Sequence, residues 1–169
     1  MLIRPVTPAE HDELGRITLE AYRGIDGHEP SEYYSAVLLD AAARVRDALV
    51  LVAVEGDEVL GGVTYVADAN SPLAEFDDPD EACFRMLAVR PDRQGHGAGA
   101  ALVQACIDRA RADGKTALTL YSTPAMTSAH RLYERFGFRR EEARDMIVES
   151  GAVQLRSFVL VLNPEEVLR

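Results

Sequence analysis

The stretch VRPDRQGHGAGAALVQAC, residues 89–106, places glycine at 95, 97 and 99 and runs directly into an apolar-periodic segment. Glycine inside a helix costs about 1 kcal/mol relative to alanine, so three of them at a helix start need a reason. A helix N-terminus exposes four backbone N–H groups and about half a positive charge. An anion, phosphate above all, is the common guest there. Glycine allows the sharp turn and lets an oxygen reach the amides with no side chain between. The preceding CFRMLAV (83–89) reads as a buried strand. The following helix, to about Ala112, keeps Leu102, Val103, Cys106, Ile107 and Ala110 on one face. Strand, glycine turn and helix together are the context in which such a segment holds phosphate. A turn that only packs helix on strand would read the same way. Arg90 and Arg93 flank the glycines and add local positive charge to a chain of net charge -10.

Two phosphate motifs fit poorly. A P-loop needs Gly-Lys-Ser/Thr at the helix start, and Gly97 is followed by Ala-Gly-Ala. A dinucleotide fingerprint, G-x-G-x-x-A, matches at Gly95, Gly97 and Ala100. It also needs an acid at the end of the next strand, and ALTLYS (117–122) ends in Tyr121 and Ser122.

Around this centre the chain reads as one domain, 1–169. LIRPV is a strand. Thr7, Pro8 and Glu10 open a helix as a capping box, and Leu14, Ile17 and Ala21 continue it. A single second helix is expected with Tyr34, Val37, Leu38, Ala41 and Val45 on one face. LVLVAV (49–54) and EVLGGVTYV (58–66) form a hairpin around Gly56-Asp57, with Gly61-Gly62 marking a bulge or close contact. Asp68 to Glu81 holds six acids and no base and reads as a loop. SAHRLYERFG is a helix closed by Gly137. FRREEARDMIV and VQLRSFVLVL are the last two strands. Strands alternate with helices in the middle and pair as hairpins at the ends. That predicts one mixed α/β sheet of about six or seven strands with about four helices.

The segment LAVRPDRQGHGAGAAL resembles the acetyl-CoA signature of the GNAT superfamily of N-acetyltransferases: Gln or Arg, two residues, Gly, one residue, Gly or Ala. Gln94, Gly97 and Gly99 meet it. SAHRLYERFGF is similar to the family's A-x-x-L-Y-x-x-x-G-F segment, through Ala129, Leu132, Tyr133, Gly137 and Phe138. The order of elements agrees over nearly the whole chain. The resemblance implies a GNAT-like fold and an acetyl-CoA-dependent N-acetyltransferase, with direct attack of a primary amine in a ternary complex. It implies a pyrophosphate held by Gln94, Gly95, His96, Gly97, Ala98, Gly99 and Ala100. It implies a pantetheine arm along the backbone of Leu87, Ala88 and Val89, bound like an added strand. The Leu87 N–H would meet the developing oxyanion, and Tyr133 would serve the departing thiolate. A tyrosine of pKa about 10 donates fully to a thiolate of about 8.5 only if the site shifts one of them.

Two positions depart from the family pattern. Where many members carry a glutamate on the strand before the loop, this chain has Cys83. Glu81, two residues earlier, is the candidate base if the strand extends to it. Met126 stands where an asparagine often sits. Cys83 itself reads as a small core residue. The resemblance implies an acceptor groove built by the first two helices, their joining loop and the late hairpin, with Tyr22, Glu29, Tyr33 and Tyr34 as candidate lining. Arg23 and Arg85 could instead favour a substrate carboxylate. The resemblance implies a small-molecule or peptide amine as the acceptor.

Composition bounds the rest. An acidic chain makes a nucleic-acid partner unexpected, and no apolar run approaches the roughly 20 residues of a membrane span. The opening MLIRPVTPAEHDEL has no signal-peptide pattern. Two cysteines and four scattered histidines give neither a disulfide framework nor a metal site. A cytoplasmic enzyme without metal is expected, with a homodimer left open. Two other readings stay open: a non-catalytic acyl-CoA-binding sensor on the same fold, and an NAD-type oxidoreductase.

Overall fold

A computed structural model describes residues 1–25, 29–148, 151 and 153–162. His28 and part of the loop after Arg23 lie outside them. Eight strands form one sheet: β1 (Leu2–Pro5), β2 (Leu49–Glu55), β3 (Glu58–Val66), β4 (Glu81–Val89), β5 (Ala117–Ser122), β6 (Arg139–Arg140), β7 (Met146–Val148) and β8 (Val153–Val161). Their order is β1-β2-β3-β4-β5-β8-β6, with β7 also paired to β8. Every pairing is antiparallel except β4 with β5. Parallel neighbours need a long crossover, supplied here by helix α4 (Ala98–Ala112).

Alternation along β2 divides the core into two layers. Val50, Val52 and Val54 face helices α1 (His11–Arg23) and α3 (Ala41–Asp47), against Leu14, Ile17 and Ala41. Leu51 and Ala53 face α4, whose Leu102, Val103, Cys106, Ile107 and Ala110 are all buried. Helix α5 (Thr127–Arg135) adds Tyr133 to that second layer. The expected Gly56-Asp57 turn is present, with Glu55 opposite Glu58.

Two elements split where the sequence predicts one, so the described residues hold five α-helices and eight strands. The predicted second helix is α2 (Glu32–Leu39) followed by α3. Asp40 leaves the helical region (φ -89°, ψ 70°), and its Oδ1 accepts the Ala43 N–H at 3.0 Å. Apolar spacing runs through this break because Leu38 and Ala41 both face inward. Val45 does not, and is 40% exposed. FRREEARDMIV is interrupted by a 3-10 turn at Glu142–Arg144. Arg140 and Asp145 tie its two ends together with two bonds of 2.7 Å.

Candidate active site

β4 and β5 pair only where Glu81–Cys83 lie beside Ala117–Thr119. Beyond Cys83 the strands part, and a cleft of about 1160 Å³ opens between them. The cause is a bulge in β4. Met86 has φ +54°, and the β3–β4 register shifts between Gly62 and Thr64. The positive φ costs a non-glycine residue about 1–3 kcal/mol, and a bulge bends its strand. Arg85 and Met86 consequently serve the same side of the sheet. Arg85 meets Glu75, while Met86 packs with Leu19 and Leu38. From Phe84 to Val89 the edge of β4 towards β5 has no strand partner.

The glycine segment forms one wall of the cleft. Gly95 (φ +82°) and Gly97 (φ +92°) occupy the left-handed region, and Gly97 caps α4. The first α4 bond to leave this turn runs from the Ala101 N–H to the Gly97 carbonyl, at 3.0 Å. Among the described residues, no protein acceptor takes the N–H of Gly95, His96, Gly97, Ala98, Gly99 or Ala100. Six amides at a helix start are thus left for a ligand. Arg90 and Arg93 do not add the expected free positive charge. Glu58 binds Arg90 Nη1 at 2.9 Å and Arg93 Nη2 at 3.0 Å. Attraction for an anion here rests on the amides and the helix end. The His96 Nδ1 lies 3.0 Å from the Gln94 carbonyl, its ring outward.

Tyr133 reaches the middle of the cleft from α5. Phe84, Phe138 and Phe158 surround its ring at centroid distances of 5.8, 5.9 and 5.8 Å. Burial pushes its hydroxyl well above the ordinary tyrosine range, which keeps it protonated at neutral pH. At the far end, Tyr22 lines the cleft and packs edge-on against Tyr34, centroids 6.2 Å apart.

The model of the acetyltransferase (GNAT) family matches residues 11–138, from α1 through the cleft to the end of the α5 segment. This chain belongs to the GNAT acetyltransferase family. An uncharacterized N-acetyltransferase of Methanocaldococcus jannaschii is 26% identical over 145 residues, covering 83% of this chain and 61% of that relative. The Salmonella typhimurium protein yncA, solved with its cofactor acetyl-CoA, is similar in fold at a TM-score of 0.69 and 23% identity, covering 96% of this chain and 94% of that one. The ribosomal-protein-alanine N-acetyltransferase of Brucella melitensis gives 0.70 and 21%, covering 96% and 100%.

The cleft brings together Leu87, Ala88, Val89, Gln94, the residues from Gly95 to Ala100 apart from His96, Tyr133 and Tyr22. It does not bring Glu81. β4 does begin there, but the Glu81 carboxylate accepts Arg144 Nη1 at 2.8 and 3.2 Å, before the strands part and away from the cleft lining. Tyr33 is 79% exposed and off the cleft. Glu29 is solvent-facing, 3.9 Å from Arg23 Nε. Cys83 is buried, its thiol pushed up to about 12 by desolvation. Met126 lines the cleft, its sulfur 3.2 Å from the Ser122 hydroxyl. His130 is partly buried. Its Nε2 lies 3.0 Å from Ser122 Oγ, its ring packs on Phe158, and burial lowers its pKa.

Sequence reasoning passes over Glu75. It takes 68–81 as a solvated acidic loop, yet Phe76 in that loop is buried and Leu73 and Ala74 pack beside it against Val66 and Cys83. Those apolar residues among the acids were the available signal. No group of metal-binding side chains occurs among the described residues, nor any helix long and apolar enough to cross a membrane.

Proposed function

We propose that this chain moves the acetyl group of acetyl-CoA to a primary amine by direct attack in a ternary complex. One observation carries the reading: six unpartnered amides from Gly95 to Ala100 stand at the mouth of a cleft made by parting two parallel strands. Acetyl-CoA has the matching shape, a diphosphate followed by an extended arm with amide groups. Gln94 and the glycine turn hold the diphosphate, and the open edge of β4 at Leu87–Val89 pairs with the arm. The Leu87 N–H receives the oxyanion. Tyr133 donates a hydrogen bond to the leaving sulfur. Its raised pKa argues against full proton transfer from it. The amine enters past Tyr22 and Tyr34. Its alkylammonium must lose a proton first, which at pH 7 costs roughly 4–5 kcal/mol for a pKa of about 10.4. The buried, unpaired Cys83 and Cys106 suit a reducing compartment, and we read the enzyme as cytoplasmic.

The test is release of free coenzyme A with a panel of amino acids, polyamines, aminosugars and peptide N-termini. Turnover with at least one is expected. Tight acetyl-CoA binding with no turnover would leave a binding protein. Thermal stabilisation by NADH and not by acetyl-CoA would overturn the reading altogether.

A further inference from the structure

β4 offers no acid at the acceptor end of the cleft, since Cys83 is a neutral thiol and Glu81 lies before the point where β4 and β5 part, paired with Arg144. An acid from another element is present. Glu75, in the β3–β4 loop, is drawn over the sheet by Phe76, which is 9% exposed and packs with Val66 and Cys83. Its Oε1 lies 3.1 Å from Arg85 Nε, and Arg85 Nη1 donates to the Leu73 carbonyl at 3.2 Å. Arg85 lines the cleft beside Met86. We infer that Glu75, presented by the β3–β4 loop and oriented by Arg85, is the carboxylate that receives the proton of the acceptor ammonium, directly or through one water. The inference rests on the acetyl-transfer reading above.

Position is the first support. Arg85 of β4 contacts the Glu75 carboxylate at 3.1 Å, and the field of the carboxylate also reaches Tyr22 of α1, Tyr34 of α2, Cys83 of β4 and Tyr121 of β5. Tyr22, Arg85 and Tyr121 all line the cleft. Glu75 is not itself a lining residue; it stands directly behind Arg85, which lines the cleft beside the bulge. Its side chain keeps 18% of its surface exposed.

Protonation is the second support. Burial pushes the Glu75 carboxyl above its ordinary value, and Arg85 only partly opposes this. A more basic carboxylate narrows the gap to an alkylammonium. The same desolvation acts on the ammonium in the opposite direction and narrows it further. Tyr22 and Tyr34 are pushed up by burial and stay neutral, so neither competes for the proton.

The step balances. The ammonium gives one proton to Glu75, and the freed lone pair forms a bond to the thioester carbonyl carbon. The oxyanion collapses and the carbon–sulfur bond breaks with its electron pair on sulfur. The nitrogen loses its second proton, which ends on sulfur, and Glu75 returns its own to solvent. The products are the N-acetyl amine, coenzyme A thiol and one proton.

The experiment compares wild type, Glu75→Gln and the exposed-loop control Asp77→Asn in kcat/KM from pH 6 to 10, with n-butylamine and with the best acceptor of the panel. Wild type and Asp77→Asn should level off near neutral pH. Glu75→Gln should lose about 10²–10⁴-fold at pH 7 and climb about tenfold per pH unit towards the pKa of the amine, with acetyl-CoA affinity unchanged. A loss equal at every pH, or activity within about threefold of wild type, overturns the inference. Should Glu75→Gln not fold, carboxyl-carbon NMR on the wild type decides. Added n-butylamine should lower the Glu75 titration midpoint, and an unmoved midpoint overturns the inference. If wild type turns over no amine, acetyl transfer falls, and the NMR result still reports whether an ammonium sits beside Glu75.

Discussion

Gly61 of β3 lies directly against the Ala88 carbonyl of β4, so close that a Cβ at 61 would collide with it. Ala88 is the second residue past the bulge at Met86. The contact therefore fixes how far the cleft side of β4 can be drawn towards β3. Gly61→Ala forces one strand aside, and overpacking of this kind costs about 1–3 kcal/mol. In a domain of this size that lowers Tm by roughly 2–4 °C per kcal/mol. Thermal unfolding checks the stability, and kcat/KM for acetyl-CoA should fall with it, because the shifted edge is the one proposed to bind the arm.

Gly97 and Gly99 should respond differently. Gly97 has φ +92° and open space around it, so any side chain is strained by conformation alone, not by contact. Gly97→Val should disturb the amide cluster and weaken acetyl-CoA binding at least tenfold by calorimetry, while the fold survives. Gly99 lies within α4, where a Cβ would meet only Leu132 and Val89 at ordinary distances of 3.6 and 3.7 Å. Gly99→Ala should raise stability, by up to about 1 kcal/mol. A Gly97→Val protein that binds as wild type does would remove the anion site from the proposal.

The glycine turn, Tyr133 and the strand between them were legible in the sequence because each depends on neighbours in the chain. Amide exposure follows from glycine spacing before an apolar helix, and Tyr133 sits among Leu132, Gly137 and Phe138 in one short segment. The proposed acceptor end was legible only at Tyr22, because the elements proposed to form it, α1, α2, a loop and two strands, are distant in the chain. The local signal for Glu75 is confined to its apolar neighbours Leu73, Ala74 and Phe76, and the packing of Phe76 on Val66 and Cys83 is what sets it apart from Asp77 and Asp78. The bulge at Met86 has no signature within β4 itself; its signal was Gly61-Gly62 of β3, next to which the register shifts. The break at Asp40 was hidden because apolar spacing continues across it. The arginines at 90 and 93 misled for a similar reason, as Glu58 lies over thirty residues away in the chain.

Tyr133→Phe separates chemistry from packing. The ring contacts with Phe84, Phe138 and Phe158 survive the change, so Tm should stay close to that of wild type. Only the hydroxyl is lost. If it stabilises the departing sulfur, kcat should fall about 10–10³-fold, with acetyl-CoA affinity nearly unchanged. A fall in affinity with kcat preserved would place the hydroxyl on the ground-state ligand instead.

The acid limb of stability should depend on Glu10. Its carboxylate receives Arg4 Nη1 and Nη2 at 2.9 and 2.8 Å and the Thr7 N–H at 2.9 Å. Those bonds hold its pKa down at about 2. A carboxyl with a depressed folded pKa binds its proton more readily when unfolded. Its contribution is therefore fully present above the unfolded value of about 4.5 and is lost as pH falls through about 2. Solvent screens the pair, so the contribution is small. Glu10→Gln should unfold a few degrees below wild type at pH 7, with the gap narrowing between pH 4.5 and pH 2. A gap that stays constant across that range would mean that the side chain acts through the capping geometry at Thr7 and not through its charge.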